Sequence, residues 1–332
     1  MIILMKKTAT KDEIAGVVGK IKSLGYEPHI DQGISTVIGI RGDTTELRNN
    51  KGVLLLPGVE NVIEVSKPYK EASRDFKQSN TIVKIGDGDV KIGSDKKIII
   101  AGPCSVESRE QILRIAEAIK GLGADILRGG AFKPRTSPYS FQGLGEAALK
   151  FLSKARDKFN IPIVTEILDS KDIPLFEKYD VDFYQVGARN MKNYSLLKEL
   201  GKINKPVLLK RGEMATINEF LLAAEYLLVE GNKNVVLCER GIRTFEQHTR
   251  YTLDLNAVAS IKQLSHLPII VDPSHGTGRR DLIIPMSKAS LSCGADGLMI
   301  EVHNDPSSAM SDAWQQLSIE DFASLMKELS LN

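Results

Sequence analysis

Eight short apolar runs, each followed by a segment with helical spacing, occupy the chain from about residue 97 onward. The runs are KKIIIAGPC, ADILRGG, IPIVTEI, DFYQVGAR, PVLLKRG, NVVLCERG, PIIVDPSH and GLMIEVH. Few polar residues alternate within them, which is typical of parallel strands buried on both faces. Eight such β-α units in about 235 residues match a (β/α)8 barrel, the TIM barrel. The pattern therefore predicts an α/β fold in which residues 97–332 form this barrel.

A doubly wound open sheet is the alternative fold for alternating strands and helices. It usually has fewer strands, and a G-x-G-x-x-G turn follows its first strand. Here the first run ends in AGPCS, without that glycine pattern. The barrel is therefore the better interpretation.

The residues before the barrel follow a different order. Residues 1–70 read as strand, helix, two strands, helix and strand, which is the order of a small α+β ferredoxin-like domain. A polar stretch, EASRDFKQSNT, reads as a linker. The segment TIVKIGDGDVKIG then places an Asp-Gly pair between two alternating runs, a strong β-hairpin signal. We predict a linker and hairpin at 71–96 that caps the N-terminal mouth of the barrel.

Charge and cysteine content argue against several classes of protein. Lys and Arg number 44 against 42 Asp and Glu, a net charge of +2, whereas binding to a nucleic-acid backbone needs a clear basic excess. The longest apolar runs are too short to cross a bilayer, and the N-terminus does not resemble a signal peptide. Three cysteines are too few for a disulfide framework. We expect a reduced, cytoplasmic protein without nucleic-acid or membrane partners.

Ionisable side chains stand at the end of nearly every predicted strand. A solvent-exposed edge explains one or two of them, but not a complete set. In chain order they are Cys104, Arg128, Glu166, Arg189, Lys210, Arg240, Asp272 with His275, and Glu301 with His303. Since (β/α)8 enzymes place their reacting groups at the C-terminal ends of the strands, this set predicts an active site there.

Four members of this set are cationic. Converging cations repel one another unless an anion neutralises them, and the arginine guanidinium binds phosphate and carboxylate bidentately. With two neighbours from the loop LRGGAFKPRTSPYSF, the cations are Arg128, Lys133, Arg135, Arg189, Lys210 and Arg240. So many cations predict a ligand set with more than one phosphate group, together with a carboxylate.

A second group has the character of metal ligands. Cys104, His275 and Glu301 end strands one, seven and eight, which become neighbours when the barrel closes, and the next loop offers Asp312. A thiolate, an imidazole and two carboxylates suit one divalent ion of borderline type, such as Mn, Fe, Co or Zn. The sequence leaves the identity of that ion open.

The strand-end motifs together resemble one enzyme family. In order they are AGPCSVES, LRGGAFKPRTSPYSFQG, VTE, QVGARN, LLKRG, CERGIRTFE, DPSHGTGRRD and EVHNDP. They resemble 3-deoxy-D-arabino-heptulosonate-7-phosphate (DAHP) synthase of the type I β subgroup, and residues 1–70 look like the regulatory extension of some members. The resemblance implies condensation of phosphoenolpyruvate (PEP) with erythrose 4-phosphate, the first step of the shikimate pathway to aromatic amino acids. It also implies a homo-oligomer, often a tetramer.

The resemblance implies a role for each residue of the two sets. The phosphate of PEP is bound by Arg189, Lys210, Arg240 and the backbone of Ala188. The carboxylate and reacting carbons of PEP face Arg128 and Lys133. The phosphate of erythrose 4-phosphate is held by Arg135 and Thr136. The metal ligands are Cys104, His275, Glu301 and Asp312. Lys133 donates a proton to the aldehyde, and Glu166 handles the attacking water.

Three other functions stay open at this level. One is 3-deoxy-D-manno-octulosonate-8-phosphate (KDO8P) synthase, which uses arabinose 5-phosphate but resembles KANRSS where this chain reads KPRTS at 133–137. Another is a Schiff-base aldolase with Lys210 as nucleophile, which would leave the metal set idle. The third is a phosphate-binding scaffold without activity.

The function of residues 1–70 also has two interpretations. By analogy with the family, the domain binds an aromatic amino acid, Tyr or Phe, and controls access to the barrel. Alternatively, it serves only oligomerisation or stability.

Overall fold

The computed structural model describes residues 1–33, 36–41, 44, 52, 55–63, 68–87, 89–135 and 137–330. The chain divides into two compact units: Met1–Ser79 with Leu264–His266, and Asn80–Gln263 with Leu267–Asn332. Among the described residues, no helix is both long enough and apolar enough to span a bilayer.

The N-terminal unit is built on an antiparallel sheet of strands β1 (Ile2–Met5), β2 (Glu27–Gln32), β3 (Thr36–Arg41) and β4 (Val59–Ile63). Their order, β2-β3-β1-β4, places the first and last strands side by side, as in a ferredoxin-like fold. The prediction of that fold is confirmed. The predicted second helix, in TTELRNNKGVLLLPG, lies mostly outside the described residues.

Helix α1 (Lys11–Ser23) begins at a capping box, in which Thr10 and Glu13 bond each other's backbone N–H groups. Val17 and Ile21 on its inner face are buried in one cluster with strand residues such as Ile3 and Ile38. Burial of this apolar face, rather than intrinsic helix propensity, stabilises the helix in its place.

The predicted hairpin forms strands β5 (Val83–Ile85) and β6 (Val90–Ile92). Its inward side chains, Val83, Ile85 and Ile92, are fully buried in the same apolar cluster as barrel-interior residues of several strands. The hairpin therefore closes the end of the barrel where the strands begin, as predicted.

The barrel is closed and parallel throughout. Its strands are β7 (Ile98–Gly102), β8 (Ile126–Arg128), β9 (Ile163–Glu166), β10 (Phe183–Val186), β11 (Val207–Lys210), β12 (Val235–Glu239), β13 (Ile269–Val271) and β14 (Gly297–Glu301). Closure pairs the last strand with the first, with Glu301 opposite Gly102. The prediction of a (β/α)8 barrel is confirmed, and each strand lies within the run that predicted it.

Helices surround the barrel. They are α2 (Arg109–Gly121), α3 (Glu146–Phe159), α4 (Ile173–Lys178), α5 (Tyr194–Gly201), α6 (Ile217–Val229), α7 (Leu255–Leu264), α8 (Pro273–Thr277), α9 (Ile283–Ser292) and α10 (Ile319–Ser330). Side-chain caps from Ser108 and Thr216 start α2 and α6. The short helix α8 follows β13 directly, and it carries a candidate metal ligand at the open end of the barrel.

Candidate active site

A cavity of about 300 Å³ opens at the C-terminal ends of the barrel strands. Of the residues that the sequence singled out, it is lined by Lys133, Arg135, Glu166, Ala188, Arg189, Arg240, His275 and Asp312. Three further residues with charged or aromatic side chains, which the sequence did not single out, are Glu213, Arg250 and Tyr251. Thr136 lies outside the described residues.

The four candidate metal ligands converge at this end of the barrel. One ligand atom each from Cys104, Glu301 and Asp312 lie within 4.8 Å of one another. The Nε2 atom of His275 is 3.5 Å from Glu301 Oε1 and 3.8 Å from Asp312 Oδ2. These side chains come from a strand end, a short helix and a loop, so only barrel closure brings them together.

Backbone geometry explains how Cys104 reaches the cluster. Strand β7 ends at Gly102, whose φ of +143° is rarely adopted by other residues. A Cβ at Gly102 would also overlap the carbonyl oxygen of Arg128 on the neighbouring strand. The chain can therefore turn toward the barrel axis here because residue 102 is glycine.

The donor set fits a divalent metal ion. Asp272 Oδ2 lies 2.7 Å from His275 Nδ1, which orients the ring and leaves Nε2 facing the carboxylates. Burial lowers the pKa of His275, so the imidazole is neutral near pH 7. Burial and the nearby Glu301 raise the pKa of Cys104 to about 12 in the metal-free protein. One thiol, one neutral imidazole and two carboxylates form a site of borderline character, in which Cys104 and Glu301 are buried and His275 and Asp312 line the cavity.

Two of the predicted anion-binding cations are paired inside the protein. Arg128 Nη1 is 2.7 Å from Glu301 Oε1, and Lys210 forms a salt bridge with Asp272. All four side chains are buried. Neither cation is among the residues that line the cavity, so each neutralises a carboxylate behind its wall.

Other cations face the cavity without a carboxylate partner. Within the described part of the chain, the Arg189 guanidinium forms no hydrogen bond or ion pair, and its residue is exposed. The Arg240 guanidinium lies 4.0 Å from the centre of the Tyr251 ring, which orients it by a cation–π contact. Arg135 donates from Nε to the Phe141 carbonyl at 3.1 Å. These groups have donors available for an external anion.

Lys133 lies beside the metal-ligand cluster. Its Nζ is 3.0 Å from Cys104 Sγ and 2.9 Å from the Cys104 carbonyl oxygen. Burial alone would lower the pKa of Lys133, but the Cys104 sulfur and the Glu166 carboxylate outweigh burial and raise it. The side chain is therefore an ammonium ion that faces both the cluster and the cavity.

Glu166 is held by packing at the end of β9. Its Oε2 accepts a hydrogen bond from Gln185 Nε2 at 3.2 Å. A Cβ at Gly187 would overlap the Glu166 carboxylate. The carboxylate can occupy this position because residue 187 has no side chain.

The three residues missed from the sequence form a connected group. Glu213 Oε2 accepts from Arg243 Nη2 at 2.7 Å and from the Tyr251 hydroxyl at 3.0 Å. Arg250 Nη1 donates to Gln315 Oε1 at 2.9 Å and lies 3.6 Å from Asp312 Oδ1. Tyr251 and Arg250 follow β12 by more than ten residues, without periodicity. The only sequence signal that could have pointed to these residues was the adjacent pair of a cation and an aromatic residue in that loop.

His303 belongs neither to the cavity lining nor to the candidate metal-ligand cluster. It is buried, its Nδ1 accepts from the Asp305 N–H at 3.0 Å, and its Nε2 is 3.4 Å from Glu107 Oε2. It is not among the residues that line the cavity. His303 therefore fastens the loops after β7 and β14.

Two family models together match most of the chain. The model of the DAHP synthetase I family matches residues 71–331, and the model of the DAHP synthase ferredoxin-like domain matches residues 1–67. A phospho-2-dehydro-3-deoxyheptonate aldolase of Thermotoga maritima is 51% identical over 330 residues, which is 99% of this chain and 96% of the relative. A 2-dehydro-3-deoxyphosphooctonate aldolase of Geobacter sulfurreducens is 29% identical over 262 residues, 73% of this chain and 94% of the relative.

Solved structures give the same assignment. The crystal structure of the Thermotoga maritima phospho-2-dehydro-3-deoxyheptonate aldolase (DAHP synthase) matches with a TM-score of 0.78 and 50% identity, over 99% of this chain and 96% of that one. A truncated form of the Thermotoga maritima enzyme matches with a TM-score of 0.72 and 49% identity, over 78% and 94%. The resemblance in the strand-end motifs is thereby confirmed: the chain belongs to the DAHP synthetase I family and begins with a DAHP synthase ferredoxin-like domain.

Proposed function

We propose that this enzyme condenses PEP with erythrose 4-phosphate and water to give DAHP and inorganic phosphate. One observation carries the proposal: guanidinium groups that have no carboxylate partner among the described residues face the same cavity as His275 and Asp312 of the metal-type donor cluster. The first suits a phosphorylated carboxylic acid, and the second suits an aldehyde. The name of the Thermotoga maritima relative supports the same reaction.

Each substrate has a place in this proposal. The phosphate of PEP binds Arg189 and Arg240, beside the Ala188 backbone, with the Lys210–Asp272 pair behind them. Its carboxylate and reacting carbons lie toward Arg128 and Lys133. The phosphate of erythrose 4-phosphate binds Arg135, which lines the cavity, together with Thr136, which lies outside the described residues.

Cys104, His275, Glu301 and Asp312 would hold one divalent ion (Mn, Fe, Co or Zn), which supplies Lewis acidity toward the aldehyde oxygen. Charged groups of the protein favour the ionised form of both carboxylates. Burial alone would raise the pKa of Glu301 and of Asp312. Nearby His275, with Arg128 for Glu301 and Arg250 for Asp312, outweighs burial and holds both pKa values below their usual range.

The proposed steps use Lys133 and Glu166, which line the same cavity. The π electrons of the C2=C3 double bond of PEP form the new bond from C3 to the aldehyde carbon, which leaves C2 electron-poor. The carbonyl π electrons move to the aldehyde oxygen, which takes a proton from the Lys133 ammonium. Water then adds at C2 of the former PEP and loses a proton to the Glu166 carboxylate. The bond between C2 and the phosphate oxygen breaks, its electron pair leaves with phosphate, and the departing phosphate takes the proton of the C2 hydroxyl as C2 becomes the ketone.

The N-terminal domain has a proposed regulatory role. We propose that it mediates feedback inhibition by Tyr or Phe, and that the enzyme acts as a cytoplasmic homotetramer. The match of residues 1–67 to the DAHP synthase ferredoxin-like domain supports the first part. Assays of the full chain and of residues 71–332, each with added Tyr or Phe, test the regulation, and sedimentation of the full chain tests the tetramer.

The reaction is tested by PEP consumption with erythrose 4-phosphate and with arabinose 5-phosphate, each with and without EDTA. We expect PEP loss only with the four-carbon sugar, abolished by EDTA and restored by Mn²⁺. Turnover with arabinose 5-phosphate instead would make the chain a KDO8P-type synthase. Turnover that persists in EDTA would remove the metal ion from the mechanism.

A further inference from the structure

Two adjacent glutamines follow Asp312 in the loop after β14. Gln315 is 3% exposed and Gln316 is fully buried. Buried amide groups are costly unless they are hydrogen-bonded, so their partners show what they stabilise. Each of these two side chains forms a hydrogen bond with a different candidate metal ligand. A glutamine amide is not itself a favoured ligand type at such a site.

Gln315 holds the carboxylate of Glu301. Its Nε2 donates to Glu301 Oε2, while its Oε1 accepts from Arg250 Nη1 at 2.9 Å. A carboxylate only accepts and a guanidinium only donates, so these two partners determine the orientation of the amide. The other Glu301 oxygen accepts from Arg128 at 2.7 Å. Both oxygens of this carboxylate are therefore held before any metal arrives.

Gln316 holds the backbone of Cys104. Its Oε1 accepts from the Cys104 N–H at 3.0 Å, and its Nε2 donates to the Ser311 carbonyl at 2.8 Å. Ser105 follows Cys104 and Ser311 precedes Asp312 in the chain, and the hydroxyls of these two serines are 2.5 Å apart. These contacts join the loop after β14 to the loop after β7 directly behind the cluster.

The same turn sets the third ligand. Asp312 has a φ of +49°, a left-handed conformation that a residue with a side chain adopts only when its surroundings hold it there. The Gln315 N–H bonds the Asp312 carbonyl at 3.2 Å, and Arg280 Nη2 bonds the Ala313 carbonyl at 3.1 Å. Arg280 Nε bonds the Gln316 carbonyl at 2.7 Å. The backbone that aims Asp312 is thus part of the glutamine turn.

We propose that Gln315 and Gln316 are positioning residues that preorganise Glu301, Cys104 and Asp312 for one divalent ion. The inference deepens the proposed function and rests on its metal ion. Residues that orient metal ligands typically contribute about 10- to 100-fold in metal affinity. The glutamines carry no charge, so their removal changes geometry without changing the net charge of the site.

The test measures the dissociation constants of Co²⁺ and Mn²⁺ for the full metal-free chain by competition with a chromophoric chelator. The variants are Gln315→Met and Gln316→Met, which preserve volume but not hydrogen bonding, and Gln315→Asn, whose shorter amide cannot reach both partners. Gln247→Met, on an exposed loop residue, is the matched control. We expect the three variants to raise the dissociation constants about 10- to 100-fold, and the control to leave them unchanged.

The visible spectrum of bound Co²⁺ is a second readout, because it reports ligand geometry and does not respond to a change in stability alone. We expect altered spectra in the glutamine variants, and unfolding midpoints measured without metal separate this effect from any loss of stability. Unchanged affinity and spectrum in every variant would overturn the inference and leave the proposed function standing. An unchanged chain that binds neither ion would overturn the metal role itself, and the inference with it.

Discussion

His275 Nδ1 lies 2.7 Å from Asp272 Oδ2, and the same carboxylate oxygen forms the salt bridge with Lys210. One buried carboxylate thus orients a candidate metal ligand and neutralises a cation behind the end of the cavity that is proposed to bind phosphate. Burial alone would raise the pKa of Asp272. The neighbouring His275 and Lys210 outweigh burial and hold the pKa well below its usual range. The two halves of the proposed site therefore share a single anion.

Asp272→Asn should damage both stability and activity. The substitution preserves shape but leaves the Lys210 ammonium buried without its counter-ion, which costs about 3 kcal/mol or more in the free energy of unfolding. It also weakens the orientation of His275, so we expect kcat to fall by about 10- to 100-fold. Denaturant unfolding and steady-state kinetics measure the two effects. Asp281→Asn, in an exposed pair with Arg279, is the control. Equal effects of the two substitutions would contradict the shared role.

Arg189→Ala should raise the KM for PEP by about 10- to 100-fold, because one charge-assisted contact to phosphate is lost. The side chain has no partner among the described residues, so folding stability should be nearly unchanged. Initial-rate kinetics with each substrate varied would separate the two KM values. The assignment of Arg189 to the PEP phosphate is wrong if the KM for erythrose 4-phosphate rises and the KM for PEP does not. Arg279→Ala, on another loop at this end, is the control.

Metal binding should release about one proton near pH 7. The pKa of the Cys104 thiol is raised to about 12 in the metal-free protein, while that of His275 is lowered. The thiol must therefore lose its proton to become a ligand, and the imidazole has none to lose. Apparent affinity should rise about tenfold per pH unit above pH 7 and fall as the pH is lowered. Calorimetry in buffers of different ionisation enthalpy measures the release, which Cys104→Ser should abolish.

Gly187→Ala should lower activity more than stability. The new Cβ would overlap the Glu166 carboxylate, the mobile end of a side chain that can swing aside. We expect at least a tenfold loss of kcat, within the range of about 10²–10⁴ that a general base contributes. Gly212→Ala, at the end of β11, is matched because its Cβ would meet only ordinary contacts at 3.5 Å. Similar kinetics for the two variants would remove Glu166 from the mechanism.

The N-terminal unit should lose stability as the pH falls from about 6.5 to about 4. His266 is buried, its Nε2 lies 2.7 Å from the Glu71 carbonyl oxygen, and burial lowers its pKa from 6.5 to about 4. The unfolded chain then takes up a proton near pH 6.5 that the folded chain takes up only near pH 4. Stability from this residue is full above pH 6.5, and about 3 kcal/mol is lost by pH 4.

Urea unfolding of the full chain between pH 4 and pH 7 checks this loss. His266→Gln can still donate to Glu71 but does not titrate, so it should flatten the pH profile. Identical profiles for the two chains would show that other groups cause the acid sensitivity.

Local signals in the sequence determined the architecture. Runs such as IPIVTEI and PVLLKRG are buried on both faces in a closed parallel barrel, and this requirement makes them recognisable without knowledge of their partners. Glu166 and Lys210 stand at strand ends, so topology alone brings them to the same end of the barrel. The hairpin at its other end was equally local, since a turn between two alternating runs specifies it.

Only the tertiary structure decided which charged groups neutralise one another. Arg128 and Glu301 are 173 residues apart, and Lys210 and Asp272 are 62 apart, yet both pairs are buried contacts. Cations that looked equivalent at the strand ends thus divide into those with a buried carboxylate partner and those, such as Arg189, with none among the described residues. Ion pairing depends on distances of a few ångströms across the closed barrel, and no local pattern encodes those distances.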